Sequence, residues 1–179
     1  MEYWSDLYLE LAEKISEKRP NIQWVDLWHE QVNYLSTEHP FPTPAVFIAF
    51  NMLSAENQSL LAQNCDTQID FYLYYETFDD TYSGSYNQES ALDFLRELTE
   101  IHKLFHGTTG THYNEMQRTT ITSIESGDAG NLYRISFACN VYDDSAVKQY
   151  IDKEVNDIDI IREDIQRQTS ENNYSIETQ

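Results

Sequence analysis

The run Ala45-Val46-Phe47-Ile48-Ala49-Phe50 constrains the fold more than any other segment of the chain. It is apolar at both parities, so as a strand it must be covered on both faces. The preceding His39-Pro40-Phe41-Pro42-Thr43-Pro44 holds three of the four prolines and reads as a stiff extended connector. A strand buried on both sides belongs in the middle of a sheet, with further layers above and below it.

The remaining elements supply such layers. Gln68 to Tyr75 alternates: Ile69, Phe71, Leu73 and Tyr75 point one way, Asp70, Tyr72 and Tyr74 the other. If the odd face packs on helices, Tyr72 and Tyr74 either present an aromatic surface for protein contact or form a second core layer under another helix. Trp4, Leu7, Leu11 and Ile15 recur at helical spacing, so Trp4 to Lys18 is expected to be a helix with Ser5 as N-cap, ended by Pro20. Ile22 to Trp28 reads as a strand, and Glu30 to Leu35 fits no single pattern. Residues 51–67 are polar around Leu60-Leu61 and read as a loop with a turn of helix. Thr77 to Gln88 reads as a polar loop carrying Tyr82 and Tyr86.

Glu89 to Phe105 is the clearest helix, with one stripe of Ala91, Phe94, Leu95, Leu98, Ile101, Leu104 and Phe105 and a terminating Gly107. Gln117–Ser126 and Leu132–Tyr142, joined by Gly127-Asp128-Ala129-Gly130, read as a hairpin. These elements predict an α+β fold. Its mainly antiparallel sheet of four to five strands carries the N-terminal and long helices on one face. A domain over residues 1–143 is followed by an acidic segment, 144–179, in which Ile151, Val155, Ile158, Ile161 and Ile165 imply a last helix before a frayed tail. That stripe must dock on its own domain or on a neighbouring subunit, which makes Ile158, Ile161 and Ile165 interface candidates beside Tyr72, Tyr74, Tyr82 and Tyr86.

Charge narrows function. With 31 acidic and 11 basic side chains the net charge is −20, which disfavours phosphate-neutralising nucleic-acid binding and adhesion to anionic membranes. No apolar stretch is long enough to span a bilayer, and the N-terminus lacks the charged patch and apolar run of a signal peptide. Cys65 and Cys139 are isolated and read as buried thiols in a reducing compartment. His102 and His106 share a helix face, with His112 in the next loop, so a zinc site is conceivable. The H-E-x-x-H pattern is absent, however, and a histidine pair at a helix C-terminus is the simpler reading. No nucleophile motif or phosphate-binding glycine loop is present, and no cofactor is expected.

The order of elements, with Phe41-Pro42-Thr43-Pro44-Ala45-Val46-Phe47-Ile48 leading into a short apolar strand, resembles the tail terminator (tail completion) proteins of long-tailed bacteriophages, the lambda type and related minor tail proteins. The resemblance spans residues 3–143 and rests on element order and size. It implies a non-enzymatic structural protein: a ring, commonly of six copies, that caps the tail tube and joins it to the head. Its partners would be further copies of itself, the tube and the head–tail connector. It would reside in the host cytoplasm during assembly and afterwards in the virion. An acidic lumen would keep passing DNA from adhering. Two other functions compete: an acidic DNA-mimic inhibitor or protein-interaction module, and a metal-dependent enzyme built on His102 and His106.

Overall fold

The computed structural model describes residues 3–34, 40–76, 79–126 and 130–148. Helix α1 (Tyr3–Lys18) leads to strand β1 (Trp24–Leu27), a 3₁₀ turn (Gln31–Tyr34) and strands β2 (Ala45–Asn57) and β3 (Gln63–Glu76). A short helix α2 (Gln88–Ala91), helix α3 (Asp93–Phe105) and strands β4 (Gln117–Ile124) and β5 (Gly130–Asp143) follow. The five strands form one mixed sheet in the order β1-β2-β3-β5-β4, with β1 parallel to β2 and the other neighbours antiparallel. This is an α+β fold.

Pleating divides the sheet into two chemically distinct faces. Val46, Ile48, Ile69, Phe71, Leu73, Ile135, Phe137 and Val141 meet Leu7, Leu11 and Ile15 of α1 and Phe94, Leu98, Ile101 and Phe105 of α3 in the main core. Phe71 stacks on Phe105 at 4.4 Å between ring centroids and meets Phe137 edge-on at 5.6 Å. Each fully buried Leu, Ile or Phe there contributes roughly 1.5–3 kcal/mol by leaving water.

The opposite face carries a smaller core of Val32, Ala45, Phe47, Tyr72, Tyr74 and Leu132, with Trp24, Trp28 and Phe41 packed against it. Its lid is not the helix expected as one alternative. The 3₁₀ turn and the proline connector between β1 and β2 cover it, and this explains why Ala45–Ile48 are buried at both parities. Tyr72 and Tyr74 are therefore core residues, 9% and 2% exposed, and the expectation that they display an interaction surface is corrected. Trp28 lies flat on Tyr72 at 4.0 Å.

Several local expectations change. Residues 51–67 hold no helical turn: β2 runs on to Asn57 and β3 begins at Gln63, giving a long hairpin whose outer stretch Asn51–Asn57 is exposed. Polar composition suggested a loop, but cross-strand pairing carries the ladder past the end of the core. Helix α1 already includes Tyr3, so Ser5 lies inside it, and the buried stripe is Tyr3, Leu7, Leu11 and Ile15 with Trp4 turned outward. The long helix is interrupted at Leu92 and leaves Leu95 exposed. Gly107 adopts φ +70°, the left-handed geometry that favours glycine after a helix. The C-terminal helix, with Ile158, Ile161 and Ile165, lies outside the described residues.

Candidate interaction surface

Polar pairs tie α1 to α3 and to the loop that follows α3. Arg19, just past α1, donates to both carboxylate oxygens of Glu97 on α3 at 2.8 and 2.9 Å and reaches Glu100 at 3.3 Å. Glu10 accepts from the backbone N–H groups of Thr111 (2.7 Å) and His112 (2.9 Å), and its carboxylate lies 2.8 Å from His112 Nδ1. One turn along α1, Lys14 donates to Tyr113 Oη (2.8 Å) and Thr108 Oγ1 (3.0 Å). The loop between α3 and β4 is thereby fixed against α1. Gly110 suits that contact, because a Cβ there would stand 2.1 Å from Glu10 Oε1.

These contacts engage His112 apart from the other two histidines. The rings of His102 and His106 do come together, at 4.6 Å. His106 Nδ1, however, accepts the Arg118 N–H at 3.1 Å, and His112 is engaged by Glu10. Among the described residues no group of three His, Cys, Asp or Glu is placed to hold a metal ion. Burial, then the nearby Arg118 charge and then His106, push the His102 imidazole below its ordinary pKa. Both thiols are free and buried, and burial raises Cys139 to about 12.

Hydrophobic side chains outside both cores mark the surface. Trp4, Tyr8, Leu9, Leu27 and Phe50 line a shallow hollow of about 290 Å³ between α1 and the β1–β2 side of the sheet, with Leu9 60% exposed. Trp4 and Phe50 meet at 5.5 Å on its floor. At the tip of the β2–β3 hairpin Leu60 is 96% exposed, with Leu61 beside it and Leu53 exposed along the arm. Tyr82 and Tyr86 are exposed in the loop before α2, as the sequence suggested, but they share no lining with this hollow. The hollow escaped sequence reading because Trp4 and Leu27 fit buried patterns. Leu60-Leu61, set within a polar stretch, was the part of the apolar surface that the sequence displayed.

The two sheet edges differ. On β1, Trp28 N–H bonds inward to Ile48 O, so Val25 and Leu27 turn their backbone groups outward. Side chains cap three of those four groups. Tyr8 Oη donates to Val25 O over a long 3.5 Å, Leu27 N–H donates to Asp26 Oδ1 at 2.8 Å, and Gln31 Nε2 donates to Leu27 O at 2.8 Å. On β4 the Arg118 N–H is capped by His106, whereas among the described residues no side chain caps the outward groups from Thr119 to Ile124.

No family model and no curated protein sequence matches the chain. Among the described residues no helix is long and apolar enough to cross a membrane.

Proposed function

We propose that this protein is a structural assembly subunit of the tail-terminator kind, whose copies join head to tail into a ring that caps a phage tail tube and joins it to the head. One observation carries the reading: the chain holds an apolar hollow (Trp4, Tyr8, Leu9, Leu27, Phe50) and, at a different place, a projecting apolar knob (Leu60, Leu61). A knob that fits the hollow of the next copy is a heterologous contact, and such contacts form a ring when their rotation divides a full turn. On a chain of mean hydropathy −0.61 and net charge −20, uncovered leucines of this kind favour a protein occupant over solvent. The overall acidity suits a ring through which DNA passes, since like charge prevents adhesion.

Sedimentation velocity and negative-stain microscopy of the full chain, alone and with a tail-tube protein, test this. Rings or discrete oligomers are expected. Leu9→Glu and Leu60→Glu should each stop growth while leaving the circular dichroism spectrum unchanged. A mixture of the two variants should stop at a pair, because one intact knob still meets one intact hollow. A chain that stays monomeric with and without the tube protein would refute the proposal, as would rings indifferent to both substitutions.

A further inference from the structure

We infer that the β4 edge is a second, separate self-association seam, through which two copies pair antiparallel, β4 against β4, about a two-fold axis at Ile121. The inference goes beyond the ring proposal and does not depend on it.

Edge strands are normally blunted by prolines, charges, short length or covering groups. The β1 edge is blunted in this way: four residues long, with both outward carbonyls and the Leu27 amide capped by Tyr8, Gln31 and Asp26. The β4 edge is not. Gln117–Ile124 spans eight residues, is exposed over all but its last position and contains no proline, glycine, lysine or acid. Five of the eight are β-branched (Thr119, Thr120, Ile121, Thr122, Ile124), which favours strand pairing. The irregularity in its ladder is confined to Arg118/Thr120, so Thr120–Ile124 offers a regular template.

A second copy is the occupant that fits. Two chains of charge −20 repel wherever they present acids, and β4 is an exposed strand that presents none and carries one arginine, Arg118. Head-to-tail continuation of the sheet would need a free β1 edge, which is capped. The complementary edge is then another β4. A two-fold axis perpendicular to the sheet requires one residue to face its own mate. With Ile121 on the axis, Thr120 faces Thr122 of the second copy on either side of it, hydroxyl pairs that stabilise sheets. Ile121 pairs with Ile135 across the ladder and so projects on the helix-bearing face, 43% exposed. Pairing would cover it with its mate. One strand edge buries less than the roughly 800 Å² per partner of a standard interface, so the pair is weak and concentration-dependent. Capped outer edges stop it at two.

The test uses the full chain carrying Leu9→Glu and Leu60→Glu, so that the knob-and-hollow contact is absent. Equilibrium sedimentation at high salt should show a twofold rise in mass with concentration. Hydrogen exchange should show the outward-facing amides around Ile121 gaining protection in parallel. Ile121→Lys should abolish both by opposing like charges at the axis, and Ile121→Glu should do the same. An equimolar mixture of Ile121→Lys and Ile121→Glu should restore the doubled mass, a result that only a pairing of position 121 with itself produces. Mass that never rises, or a rise that Ile121→Lys leaves intact, overturns the inference. Rings formed by Ile121→Lys in an otherwise native chain would leave the ring proposal standing while this one is judged on its own readout.

Discussion

Removing the Arg19 guanidinium tests how α1 is held to α3. Arg19 grips Glu97 through two short bonds, and the side chains are 22% and 11% exposed. In Arg19→Met the stem still packs, but the Glu97 carboxylate is left with little water and no cation. Breaking a fully buried pair costs about 3–5 kcal/mol, and the residual solvent access here lowers that to about 2–3 kcal/mol. Glu97→Gln keeps the shape and loses charge-assisted bonding, at a cost of about 1–2 kcal/mol. The double variant should cost less than the sum of the two, giving a coupling of about 1–2 kcal/mol in a double-mutant cycle. Urea unfolding followed by tryptophan fluorescence measures each corner, and thermal midpoints should fall by about 2–4 °C per kcal/mol. Coupling within about 0.3 kcal/mol of zero would show that the pair behaves as a solvated surface contact and would refute the reasoning.

Gly110→Ala should destabilise the domain by about 1–3 kcal/mol, since its Cβ would press on Glu10 Oε1 and the Tyr113 ring; urea midpoints check this, and Glu10→Ala in the same background should add little. The folded state holds the His102 pKa below the unfolded value, so the unfolded chain takes up the proton first as pH falls. Stability present above about pH 6.5 should decline as pH drops from there through the lower folded pKa, and His102→Gln should flatten that slope in urea titrations. Cys139, raised to about 12 by burial, and Cys65, raised by burial and neighbouring carboxylates, should resist a thiol reagent at neutral pH in the native chain and react once it is unfolded.

The layer plan was legible from periodicity, because Val46/Ile48, Ile69/Phe71/Leu73 and Ile135/Phe137 each carry an unbroken two-residue rhythm that only a covered face requires. What periodicity could not reveal was the source of cover. The aromatic side chains of Tyr72 and Tyr74 look the same in sequence whether a helix, a partner or a proline connector lies over them. The answer came from Val32, Trp28 and Phe41, which sit in segments without repeat. The outer half of β2 escaped because Asn51–Asn57 shows no two-residue rhythm, with Met52 and Leu53 adjacent among polar residues, and is held by its ladder. The surface was the least legible part. Trp4 and Leu27 sit within helical and strand patterns that promise burial, and one residue of helix phase decides whether Tyr3 or Trp4 faces inward. Edge status depends on strand order, which no local pattern encodes.

The clasp that Glu10 and Lys14 make on the loop before β4 has a consequence for the order of events during synthesis. Those two side chains emerge from the ribosome roughly a hundred residues ahead of the strand they help to place. Until that loop reaches α1, the start of β4 is held only from the α3 side, through contacts such as the Arg118 N–H on His106. The open border of the sheet then takes its final position only once α1 has been met again by a segment made much later, which delays its exposure to neighbours on the same polysome.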